Sequence, residues 1–226
     1  DADDDLLAAI HRRPRPAVLT LPGGGHHRLP SLGAAALSAD LAMFTDWYVP
    51  HATGGRLPPD ARADFDAIWA DLFARLEGAE ASWVLFDVQA PNLLWLAERD
   101  GLARIGLLDF QDMFVGPVAY DVASLCQDPR VTVPALLEGA LRDRYIALRR
   151  ADPGFDAERF REAYAILAAG RVLKNLGVFA RLADHAGKRA YLAHVPRLCE
   201  YLSRALAHPV LTGYAQWHAR HMPPLP

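Results

Sequence analysis

Two cysteines among 226 residues, Cys126 and Cys199, are too few for a disulfide framework or a cysteine-rich zinc site. Both lie in apolar helical patterns and read as buried thiols. Basic charge is short as well: 24 Lys and Arg face 27 Asp and Glu, a formal net charge of -3, so the chain has no positive field for nucleic acid. No unbroken run of about 18 apolar residues is present, which removes the usual mark of a membrane span. The opening Asp1-Ala2-Asp3-Asp4-Asp5 is the reverse of a basic signal-peptide start. Internal repeats and low-complexity tracts are missing too. What remains, 52% hydrophobic and 23% charged, is the composition of an ordinary soluble globular protein large enough for one good-sized domain. A cytoplasmic setting is the expectation.

Residues 1–36 are expected to be irregular, because Pro14, Pro16, Pro22 and Pro30 interrupt them and Gly23-Gly24-Gly25 sits in the middle. That glycine run lacks flanking strands and a following Gly-Lys-Ser/Thr, so it reads as plain loop and not as a phosphate cradle. A helix is predicted from Leu37 to Tyr48, stopping at Pro50. A second starts at Pro58-Pro59-Asp60 and carries an apolar stripe of Phe65, Ile68, Trp69, Leu72 and Leu76. The pattern then changes. Val84-Leu85-Phe86 is a short apolar run ending in Asp87. Leu93-Leu94-Trp95-Leu96 and Ile105-Gly106-Leu107-Leu108, joined across Asp100-Gly101, read as a β-hairpin. Everything after Gly116 is helical in pattern: 117–127, 134–150, 158–182, 191–206 and 210–221. The expected fold is mainly α (α+β), with that one small β-hairpin inserted.

The chemistry concentrates around that hairpin. Asp87 stands five residues before Asn92, and Asp109 closes the hairpin's far strand. Two carboxylates and an amide suit a hard cation such as magnesium, which needs only one or two carboxylates and completes its shell with water and phosphate oxygens. A carboxylate left over can accept a hydrogen bond from a substrate hydroxyl, and phosphoryl transfer asks for little more than that positioning and charge neutralisation. His26-His27 and the pair His218/His221 lack acidic or thiol neighbours in sequence and read as surface histidines. Arg171 and Lys174 could reach an anionic substrate but read more simply as a solvated or cap-bonding pair.

The segments 87–92, Gly106 to Asp112 and Gly116-Pro117-Val118-Ala119-Tyr120-Asp121, with Phe44-Thr45-Asp46-Trp47-Tyr48 upstream and 171–179 downstream, together resemble a known family. It is the aminoglycoside phosphotransferase and choline kinase branch of the protein-kinase-like superfamily. Within it, the likeness is to bacterial cell-wall sugar kinases that phosphorylate the anomeric position of N-acetylmuramate and N-acetylglucosamine. The resemblance implies a C-terminal helical lobe at 37–226, with a catalytic loop at 83–92 and a metal-binding segment at 105–112. By the same resemblance Asp87 is the catalytic base, and Asn92 and Asp109 hold Mg2+. Asp121 braces the loop from its helix, and Gln111 and Asp112 face the substrate. ATP is the implied phosphate donor and a small-molecule hydroxyl the acceptor, with no nucleic acid or membrane partner.

Two departures stand against it. Leu85 and Phe86 occupy positions where the family has histidine and arginine before the catalytic acid, and Gln89 stands where histidine is common. No glycine-rich strand pair or lysine strand precedes Asp87, so the chain is expected to be a piece of a longer protein, weakly active or inactive alone, with an exposed interlobe face that favours self-association. A non-catalytic, pseudokinase-like binding module is the alternative. An aspartate-nucleophile phosphohydrolase would need a second acid where Gln89 stands.

Overall fold

A computed structural model describes residues 2–15 and 18–225; Asp1 and Pro16, named above, lie outside the described residues. The chain divides into two compact units, 1–32 with 79–128 and 133–160, and 33–78 with 129–132 and 161–226.

The first unit opens with a helix, α1 (Ala2–His11), and this corrects the expectation of an irregular start. The prolines that suggested irregularity begin only at Pro14, after α1 has ended, so they terminate the helix and do not prevent it. Leu7 and Ala8, each 1% exposed, anchor it. A two-residue ribbon follows, β1 (Leu19–Thr20) against β2 (His26–His27), with both histidines on the surface. Strand β3 (Ala81–Val84) ends just before the candidate loop. The predicted hairpin is present as β4 (Leu93–Trp95) and β5 (Ile105–Leu107), antiparallel, with Leu93 opposite Leu107 and Trp95 opposite Ile105. A fourth stretch, β6 (Phe114–Pro117), pairs antiparallel with β3. That pairing was not expected, since helix was predicted to begin at 117. Beyond it lie α5 (Ala119–Cys126), buried at every residue, and α6 (Ala135–Arg149).

In the second unit the helix that was to stop at Pro50 continues through it. α2 (Ala34–Met43) widens into a π turn (Phe44–Tyr48) and resumes as α3 (Val49–Thr53). The π turn lies directly ahead of Pro50 and accommodates the ring and missing N–H that would otherwise break regular bonding. Gly54, at φ 77°, then closes the helix by donating its N–H to the Pro50 carbonyl at 2.9 Å. α4 (Pro59–Ala74) buries Phe65, Trp69, Leu72 and Phe73, the first two against Tyr214 and Trp217 of α9 (Thr212–His221), and Trp217 Nε1 donates to the Ala61 carbonyl at 2.9 Å. α8 (Val195–Leu206) completes the set.

The 28-residue α7 (Ala157–Asp184) carries the chain from the first unit into the second. It is the one described helix long and apolar enough to cross a membrane, and 78% of that apolar window is buried inside the protein. Its interrupting charges, Arg171 and Lys174, hid this from a search for unbroken apolar runs. Arg171 is buried and not solvated, whereas Lys174 is half-buried with its Nζ 2.9 Å from Asp40. His218, expected at the surface, is only 5% exposed; it follows Tyr214 by one helical turn on the buried face of α9. Cys126 is buried and Cys199 half-buried, and both are free thiols.

Candidate active site

The loop after β3 begins with a backbone device. Phe86 has φ 74°, and across it the Asp87 N–H donates to the Leu85 carbonyl at 2.9 Å, which makes a γ-turn of the rare positive-φ kind. A phenylalanine in that region is strained by roughly 1–3 kcal/mol and persists only where its surroundings compel it. Here they do. The Asp121 carboxylate, 0% exposed on α5, accepts the N–H of Leu85 at 2.8 Å and of Phe86 at 3.0 Å. The Phe86 ring stacks on Tyr120 with centroids 5.1 Å apart and planes 5° apart, and leans on Phe114 at 4.9 Å. The bulky Phe86 side chain is thus an apolar anchor.

A third contact reaches Asp121 from α1. His11 Nε2 lies 3.4 Å from Oδ2, and His11 Nδ1 lies 2.7 Å from the Tyr145 hydroxyl. That hydroxyl accepts from Arg149 Nη1 at 2.8 Å, and burial holds the phenol protonated, well above its ordinary range. Arg149 continues the chain to Glu80 at 2.5 Å and to Asp152.

Past Asp87 the loop folds into a short 3₁₀ turn, Ala90–Asn92. Asn92 Nδ2 donates to the Asp87 carbonyl at 2.9 Å, and the Leu108 N–H donates to the Asn92 carbonyl at 2.9 Å. These two bonds place Asp87, Asn92 and the Leu108–Asp109 step side by side, since residues facing across an antiparallel ladder are only about 5 Å apart. That bond leaves the Asn92 amide oxygen, the atom a cation would use, uncommitted to the Asp87 backbone. Asp87 and Asn92 are half-buried and, with Leu85, Val88, Leu108 and Phe110, line a small hollow. Asp87 Oδ1 accepts from Gln89 Nε2 at 3.1 Å.

Asp109 differs from the expectation of an acid closing a buried strand. It is exposed, outside the hollow's lining, with φ 58°, a left-handed conformation that aspartate tolerates better than most residues. Gln111 Nε2 donates to its Oδ1 at 2.6 Å. Gln111 and Asp112 are exposed as well. Among the described residues no three His, Cys, Asp or Glu side chains gather into a metal-holding group. Two carboxylates and an amide oxygen nevertheless fit magnesium, which completes its shell from water and phosphate.

Two residues that hold this loop were missed in the sequence. Ser124 Oγ donates to the Phe86 carbonyl at 3.3 Å, and Asp128 Oδ2 accepts the Ala90 N–H at 2.7 Å. Their spacing from Asp121, three and seven residues, was the available signal: one face of an otherwise apolar helix.

The chain belongs to the phosphotransferase enzyme family, whose model matches residues 5–162. It is 38% identical over 223 residues to an N-acetylmuramate/N-acetylglucosamine kinase of Caulobacter vibrioides, covering 99% of this chain and 60% of that protein. It is 34% identical over 186 residues to the protein of the same name in Pseudomonas aeruginosa, covering 79% of this chain and 52% of that protein. The counterpart in Pseudomonas putida is 31% identical over 189 residues, with the same two coverages, 79% and 52%. The chain thus spans between about half and three-fifths of the length of these relatives. A solved choline/ethanolamine kinase family protein from Mesorhizobium loti superposes with a TM-score of 0.49 at 15% identity, over 96% of this chain and 80% of that one.

Proposed function

We propose that this chain carries the catalytic loop and metal-binding segment of an ATP-dependent sugar kinase acting on an amino sugar such as N-acetylmuramate or N-acetylglucosamine. The observation that carries the reading is the pair of bonds from Asn92 to the Asp87 backbone and from Leu108 to Asn92, which brings the loop and the Asp109 segment together. In the reaction the sugar hydroxyl attacks the γ-phosphorus and ADP departs. Asp87, with Oδ1 engaged by Gln89, presents Oδ2 to accept the hydroxyl's proton. Asn92 through its amide oxygen and Asp109 through its carboxylate would hold Mg2+, which when bound neutralises phosphate charge. Asp121 keeps the loop's first turn in place. Gln111 and Asp112, exposed beside Asp109, are proposed to face the substrate. Such chemistry fits the cytoplasm, where ATP is kept.

Transfer is tested by phosphorus NMR, with Mg-ATP and each amino sugar, on the full-length protein that contains this chain. The reading expects a sugar phosphate and ADP, with Asp87→Asn and Asp109→Asn each slowing transfer by about 10²-fold or more. No product from the wild-type protein, or full activity in Asp109→Asn, overturns it.

Phe86 favours a second reading, a sugar- or protein-binding module without turnover. Its ring spends on packing a position where a cation would assist the transferring phosphate. Sugar binding by calorimetry with no phosphate transfer would select that reading.

A further inference from the structure

We propose that Asp128 is a positioning residue of the candidate loop: it caps from another segment the turn that sets Asn92 relative to Asp87. The first amides of any helical turn have no partner within the turn, and Pro91 offers none, so the Ala90 N–H is the one that must be met from outside. Asp128, two residues beyond α5 and only 1% exposed, meets it at 2.7 Å. A carboxylate there also complements the positive end of the turn. Within the turn, the Asn92 N–H donates to the Gln89 carbonyl at 2.8 Å, so fixing Ala90 fixes the residue that carries the candidate ligand.

Asp121, Ser124 and Asp128 make one ladder along α5 and just beyond it, at i, i+3 and i+7. The first holds the amides at 85 and 86, the second the carbonyl at 86, the third the amide at 90. Both ends of the loop that separates Asp87 from Asn92 are therefore tied to one stretch of chain, 121–128. Asp121 fixes the near end and Asp128 the far end. Each is a buried polar group among apolar neighbours, a placement that costs stability unless its bonds are made. The catalytic consequence rests on the function proposed above; the capping geometry does not.

The test compares Asp128→Ala and Asp128→Asn with the wild-type protein, by amide exchange in NMR and by phosphotransfer kinetics. In Asp128→Ala the Ala90 amide is expected to exchange at least about tenfold faster while those of Leu85 and Phe86 hold. The kcat should fall about 30-fold, because the loop that carries Asp87 and Asn92 is misplaced. Asp128→Asn keeps an acceptor oxygen and should recover part of both effects. An unchanged Ala90 amide, uniform loosening of all three amides, or an unchanged kcat overturns the proposal. If the wild-type protein transfers no phosphate, the proposed function falls by itself. The exchange pattern and Mn2+ affinity then decide this one, and equal affinity in Asp128→Ala and wild type overturns it.

Discussion

Glycine normally destabilises a loop relative to alanine, by about 0.4–1 kcal/mol, because it frees the unfolded chain. At position 86 the order should reverse. The φ of 74° lies where an L side chain is strained, by about 1–3 kcal/mol, while glycine adopts it at little cost. Both Phe86→Ala and Phe86→Gly remove the ring from its stack on Tyr120 and its contact with Phe114, a shared loss of roughly 2–4 kcal/mol for a half-buried phenylalanine. Subtracting one variant from the other cancels that loss and leaves the backbone contribution. Phe86→Gly is therefore expected to be more stable than Phe86→Ala by about 0.5–2 kcal/mol, in urea unfolding with equal m-values. An alanine variant as stable as the glycine one, or more so, would refute the strained γ-turn.

Other positions give equally direct outcomes. Gly177→Ala, which in an ordinary helix would stabilise by about 1 kcal/mol, should cost at least about 3 kcal/mol here, because the added Cβ would lie 2.2 Å from the Met43 carbonyl carbon and oxygen. A thermal melt unchanged from wild type would contradict that backbone contact. Burial pushes the His218 imidazole down to about 4, below its unfolded value, so the unfolded chain binds the extra proton first. Stability should accordingly fall by about 2 kcal/mol as pH drops from 6.5 towards 4, level off below, and lose that slope in His218→Gln. Asp121→Ala leaves the buried N–H groups of Leu85 and Phe86 without an acceptor and should cost about 3–5 kcal/mol in urea unfolding, with a loss below 1 kcal/mol counting against the brace.

The hairpin was legible because its signals are local: two short apolar runs and an Asp-Gly turn between them. The helices after 117 were legible for the same reason, through their three-and-four spacing. The β3–β6 pairing was not, since its strands lie about thirty residues apart and neither run alternates clearly. α1 was hidden by prolines that end it, and the passage through Pro50 by a π turn that no residue pattern announces. At the site, Asp87, Asn92 and Asp109 stood out by residue type and spacing, whereas the work of Phe86 could not be read. Only the fold shows that this ring fills a slot between Tyr120 and Phe114 and bends the chain through a left-handed residue. Asp128 was missed because its partner lies 38 residues away, and only its spacing from Asp121 hinted that it shares that residue's task.

The central claim is that Asn92 and Asp109 serve one divalent ion beside Asp87. Paramagnetic broadening by Mn2+ in the presence of nucleotide measures this directly, since it reports which amides lie near the ion. Strong broadening is predicted at residues 87, 92 and 109, abolished by Asp109→Asn. Broadening elsewhere, or at 109 without 92, would contradict the account.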